Sequence, residues 1–119
     1  VVRRVGGLQR FLLAISHIGL GRERHLFIQS LATMLNAGLP LVDALKVLQK
    51  EAHSRAMRKI ILHITDAVES GSPLWRAMDD QQLFSPHALS LVRIGEESGD
   101  LAENMEYLAV QEEKDHALR

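Results

Sequence analysis

The chain has no cysteine, which excludes disulfide staples and thiolate-held zinc and suits a reducing compartment. Aromatic residues are scarce, with one Trp, one Tyr and three Phe among 119 residues. With β-branched residues also sparse, this argues against a sheet. It also removes the stacking platforms of a single-strand nucleic-acid binder, so no nucleic-acid partner is expected. No run approaches the roughly 20 apolar residues of a membrane-spanning helix. The best stretch, Leu8 to Leu20, is broken by Arg10 and His17 and lacks the small-residue cleavage site of a signal peptide. A starting Met is missing too, and Val1 in its place suggests a copy excised from a larger protein.

What is present is an ordinary globular balance of 46% apolar and 24% charged residues, in a chain long enough to close one core. The net charge of −1 conceals an asymmetry. Residues 1–60 carry ten Lys/Arg against three acids, and residues 61–119 carry four against twelve. Such a chain either neutralises one half with the other or offers two faces to two partners.

Apolar residues recur at helical spacing throughout. After a basic lead, VVRRVGG, the series Leu8, Phe11, Leu12, Ile15 and Ile18 predicts a short amphipathic helix ended by Gly19 and Gly21. A second stripe, Phe27, Leu31, Met34 and Leu35, stops at Gly38, which suits a left-handed C-terminal cap. Pro40 prevents continuation and opens a new helix that buries Leu41, Leu45 and Leu48. Ser54 is the expected N-cap of a helix with Met57, Ile60, Ile61, Ile64, Ala67 and Val68 on its inner face. Gly71 ends that helix. Ser72 and Pro73 are expected to cap and open a short one with Leu74, Trp75, Ala77 and Met78 inward. Ser85 and Pro86 repeat the signal for a helix through Leu89, Val92 and Ile94, and Gly95 and Gly99 bracket its end. The last helix starts near Asp100 and places Leu101, Met105, Leu108 and Glu112 at near-heptad spacing. The expected fold is all-α, a compact six-helix bundle built from αα-hairpins over residues 22–119. Residues 1–21 form the lead and the additional amphipathic helix.

Two turns are alike: Gly38-Leu39-Pro40-Leu41 with Ala44-Leu45, and Gly71-Ser72-Pro73-Leu74 with Ala77-Met78. Their separation of 33 residues is not repeated by the next glycine turn, 28 residues on and without proline. These are hairpin turns, not a solenoid period.

Catalytic signatures are wanting. None of the six histidines lies three or four residues from another, as a helix-borne metal pair requires. There is no phosphate-cradling glycine loop and no nucleophile elbow. A carboxylate-based metal hydrolase is conceivable only as a minor alternative. The dense polar feature is Gly95-Glu96-Glu97-Ser98-Gly99-Asp100, followed by Glu103 and Glu106. Acids at a helix start complement its dipole, and Ser98 or Asp100 is the expected cap. The same group also suits contact with a cationic partner, or a hard cation such as calcium at Glu97 and Asp100.

The order Phe27-x-Gln29-x-Leu31-Ala32, Ala37-Gly38-Leu39-Pro40-Leu41, Gly71-Ser72-x-Leu74, Phe84-x-Pro86 and Gly95-Glu96-Glu97-Ser98-Gly99 resembles one family. It is similar to the cytoplasmic domain of the inner-membrane platform protein of type II secretion systems and type IV pilus machines. The resemblance covers roughly residues 24–112. It implies a non-enzymatic six-helix domain, present twice in a polytopic protein on the cytoplasmic face of the bacterial inner membrane. It implies the assembly ATPase and other platform components as partners; apart from the resemblance, exposed apolar helix faces would suit a homodimer. On this reading Gly38, Pro40, Gly71, Gly95 and Gly99 shape the turns. Glu96, Glu97 and Asp100 contact a partner, and Arg55, Arg58 and Lys59 form a second charged surface. Residues 1–20 fall outside the resemblance; docking on the bundle or self-association is favoured over an anionic membrane surface. The alternative is a soluble helical adaptor that binds a peptide or protein in a groove.

Overall fold

The computed structural model describes residues 19–117. Those residues form six helices: α1 (Gly21–Asn36), α2 (Leu41–Glu51), α3 (Arg55–Glu69), α4 (Leu74–Asp79), α5 (Pro86–Ser98) and α6 (Leu101–Ala117). There is no strand among them. The expected all-α bundle of six helices is therefore the observed architecture. The amphipathic helix expected from Leu8 to Ile18 lies outside the described residues.

The stops work by backbone chemistry. At the end of α1, Gly38 has φ +95°, its N–H donates to the Leu35 carbonyl, and Leu39 N–H reaches back to Met34. The same pair of bonds recurs after α3, from Gly71 (φ +105°) to Val68 and from Ser72 to Ala67. Both are Schellman caps, which satisfy terminal carbonyls while turning the chain. Pro40 and Pro73 then sit in extended conformation immediately before α2 and α4, one residue earlier than a first helical position. Pro86 does occupy the first turn of α5, with the Ser85 hydroxyl accepting from Ala88 N–H. Ser54 caps α3 in the same way, accepting from Met57 N–H.

Each helix packs chiefly on its neighbours in sequence, and α6 returns against α1 to close the ring. The two run antiparallel. Asn36, ending α1, donates through Nδ2 to the Ala102 carbonyl at 3.1 Å. At the other end His25 Nδ1 lies 3.6 Å from Glu112 Oε1, an ion-pair contact when the imidazole is protonated. The core combines Ile28 and Leu31 of α1, Leu45 of α2, Ile64 of α3, Leu74 and Met78 of α4, and Met105 of α6, all fully buried. Each such side chain contributes about 1.5–3 kcal/mol by leaving water. Phe27 meets Phe84 at a ring separation of 5.6 Å, which holds the α4–α5 connection against α1.

One apolar residue departs from the expected inner faces. Ile94 is 56% exposed, because two residues from buried Val92 is about 200° around a helix. Trp75 is half-buried and packs against the edge of the core in which Leu74, Ala77 and Met78 are fully buried. Its ring lies beneath the Arg93 guanidinium, 4.6 Å from the centroid, with Arg76 at 5.4 Å.

Candidate functional site

The acidic turn joins α5 to α6. Gly95 is buried in the last turn of α5, and a Cβ there would lie 2.9 Å from Leu101 Cα and 3.2 Å from Asn104 Cβ. The missing side chain lets the start of α6 approach the α5 backbone this closely. Asn104 crosses the same junction and donates through Nδ2 to the Leu91 carbonyl at 2.9 Å. Gly99, at φ +82°, ends α5, and Asp100 N–H donates to the Gly95 carbonyl. Asp100 immediately precedes α6.

The structure separates the two glutamates that the sequence places side by side. Glu96 is half-buried, and its carboxylate accepts from Leu74 N–H at 2.7 Å and Trp75 N–H at 2.9 Å. It is the cap of α4, reached from another helix. Glu96 is thus engaged within the fold, unlike Glu97 and Asp100, with which the sequence groups it, and the expected cap Ser72 is corrected: its hydroxyl donates to the Pro73 carbonyl instead. The physical reason is shared. A proline-opened helix leaves N–H groups unsatisfied at its first turn, and a charged acceptor compensates both the lost bonds and the positive end of the dipole.

Glu97 and Asp100 remain exposed. Glu97 accepts from Arg93 Nε at 3.1 Å, one helical turn away, and Arg93 also covers Trp75. Ser98 Oγ donates its single proton to the Ile94 carbonyl at 2.8 Å, and an Asp100 carboxylate oxygen lies 3.3 Å from the same hydroxyl. Among the described residues no group of three or more His, Asp or Glu is placed to hold a metal ion. A calcium ion at Glu97 and Asp100 would need its remaining oxygens from backbone carbonyls or water.

Arg55, Arg58 and Lys59 lie together in the first turns of α3 and are all exposed. Arg58 is partly engaged: its Nη1 donates to the Ala52 carbonyl at 3.0 Å and the His53 carbonyl at 3.4 Å, at the negative end of α2. Across the same junction Glu23 of α1 accepts from Ser54 N–H at 3.1 Å. The basic cluster and the acidic turn are not brought together. The acidic turn binds the start of α4, just beyond the far end of α3, and the 15 residues of α3 span roughly 20 Å.

Sequence reasoning missed Glu23 and Asn36 as links between helices. Asn104 carried a legible signal, since it shares a helix face with Leu101, Met105 and Leu108, where a polar residue needs a specific partner.

Residues 27–119 match the family model described as type II secretion system protein F. The chain belongs to that family. Relatives include a type IV pilus assembly protein PilC of Thermus thermophilus, 38% identical over 82% of this chain and 24% of its own. A type II secretion system protein F of Xanthomonas campestris pv. campestris is 37% identical over 78% of this chain and 23% of its own. A type 4 fimbrial assembly protein PilC of Pseudomonas putida is 35% identical over 92% and 26%. The chain thus spans about a quarter of the length of these relatives. The matched region of this family member contains all six helices except the first turns of α1. No helix among the described residues is long and apolar enough to cross a membrane.

Proposed function

We propose that this chain is a non-enzymatic cytoplasmic domain of an inner-membrane platform protein, linking an assembly ATPase to pilin or pseudopilin assembly. The observation that carries the reading is the family match over residues 27–119, within which lies the acidic turn. Relatives named for type II secretion and for type IV pilus assembly support a role common to both machines. The side chains available for it fit protein contact: exposed Glu97 and Asp100 at one junction, exposed Arg55 and Lys59 at another. Glu96 supports the surface from below by holding α4. Family membership favours the platform role over the free adaptor.

Calorimetric titration of the purified domain with the assembly ATPase of the same operon tests this, with and without calcium. Saturable binding is expected. Glu97→Lys with Asp100→Lys should weaken it about tenfold at low salt, and less at high salt, as exposed charges are screened. Unchanged affinity in the double variant at every salt concentration would remove the acidic turn from the interface. Calcium-dependent binding would mean that a cation completes Glu97 and Asp100.

A further inference from the structure

In the ring of helices α3 and α6 stand opposite one another, with two helices between them in either direction. Both turn an outer face to solvent. On α3 the buried residues Met57, Ile60, Ile61 and Ile64 leave Arg55, Leu62 and Asp66 along the outer line of the helix, with Lys59 beside it. On α6 buried Met105, Leu108 and Ala109 leave Glu103, Val110 and Lys114 along the outer line, with Glu106 beside it. Leu62 is 39% exposed and Val110 45%, and the six charged residues are exposed too. None of the six has an ion pair among the described residues.

The two lines share a spacing and oppose each other in charge. From Arg55 to Leu62 to Asp66 is seven and then four residues, and so is Glu103 to Val110 to Lys114. Each line therefore runs about 10 Å and then about 6 Å along its helix. Laid side by side in the same direction, with Leu62 on Val110, the lines set Arg55 against Glu103 and Asp66 against Lys114. Facing helices bring opposite flanks together, so Lys59, about 40° around from Arg55, meets Glu106, about 60° the other way from Glu103. The reversed direction puts like charges together, Asp66 at Glu106 and Arg58 at Lys114, so charge selects the parallel arrangement. One copy cannot make this contact with itself, because its two surfaces face away from each other across the ring.

We propose that this chain assembles head to tail, with α3 of one copy lying along α6 of the next. Leu62 meets Val110, and Arg55, Lys59 and Asp66 pair with Glu103, Glu106 and Lys114. The contact joins two different surfaces, so every added copy leaves one α3 and one α6 free, and growth closes as a ring or continues as a filament. A two-fold dimer differs, because there a single surface meets itself. The charged pairs stay open to solvent at their edges, so association is weak and falls with salt. The assembly rests on these two surfaces and not on the platform reading.

Sedimentation equilibrium of the whole 119-residue chain tests this. At ~0.01 M salt the average mass should rise with concentration past that of a dimer, and at ~1 M salt it should fall back toward the monomer. Glu103→Lys with Glu106→Lys, and separately Arg55→Glu with Lys59→Glu, should each weaken self-association about tenfold at low salt. All four substitutions in one chain keep the net charge at −1 and rebuild the pairs with their signs exchanged, so self-association should return. The substituted positions are exposed, and the helical circular dichroism of each variant should equal that of the parent. An equimolar mixture of the two double variants should also associate, and it carries the test if the fourfold variant does not fold. A chain that stays monomeric at every concentration would overturn the proposal and leave both faces to other partners. Growth that stops at a dimer would overturn it in favour of a two-fold interface. Failure of both the fourfold variant and the mixture to associate would overturn it as well.

Discussion

A carboxylate that accepts from two backbone N–H groups, as Glu96 does from Leu74 and Trp75, leaves both donors unsatisfied when it is removed. Charge-assisted bonds of this kind are worth about 1.5–3 kcal/mol. Glu96→Ala should therefore lower the unfolding free energy by about 2 kcal/mol in urea titrations. Glu97→Ala should lower it by less than about 0.5 kcal/mol, because its partner Arg93 is an exposed neighbour on the same helix. The reverse order would disprove the division of labour between them. In the sequence the two are indistinguishable: adjacent acids in a glycine-flanked turn. Only the position of α4 over the end of α5 gives one of them a task inside the fold. Gly95 was legible as a special position, but as a helix stop. Its use as a contact point for Leu101 and Asn104 depends on a helix that the chain has yet to form when Gly95 is passed.

Among elements, the helix starts form two kinds. α3 and α5 are capped locally by Ser54 and Ser85, and Ser54→Ala or Ser85→Ala should each cost about 1 kcal/mol of thermal or denaturant stability. α4 looks the same in sequence, with Ser72 before Pro73, yet is capped from α5. Ser72→Ala should accordingly be near neutral, and a cost equal to that at Ser54 would show that the local serine does contribute to the cap. The helix stops were fully legible, since Gly38 and Gly71 act through φ angles that other residues adopt at a cost. So was the helical character of each segment, including the short α4. The inner faces were legible where the apolar stripe is long, as in α3. They were less so where it is brief: one turn cannot show whether Trp75 points into the core or lies under an arginine.

Across the whole molecule, α6 is the element that turns a succession of hairpins into a closed ring. One core runs through all six helices, so unfolding should be cooperative. The single Trp75, on the small α4, reports locally, while far-ultraviolet dichroism reports all helices. The two denaturation curves should coincide, and an earlier Trp75 transition would make α4 and its Glu96 cap a separately unfolding unit. Charge also acts at this scale. Lys46 of α2 pairs with Glu69 of α3 at 3.2 Å and His25 of α1 lies 3.6 Å from Glu112 of α6, so the basic and acidic halves of the chain meet at two points.

The sequence by itself determined the number and kind of helices, their local stops, and the family to which the chain belongs. The helices and their stops rest on residues within a few positions of one another, where φ preferences, caps and apolar spacing act before any distant contact exists, and the family rests on the order of such motifs along residues 27–119. Tertiary structure alone decided that α6 pairs with α1, that Glu96 caps α4 and Glu23 binds Ser54, and which charges stay exposed. Those outcomes join residues 21 to 87 positions apart, and no local preference specifies a partner across that distance. The choice is made when the apolar faces pack and each buried donor must find whichever acceptor the packing brings within reach.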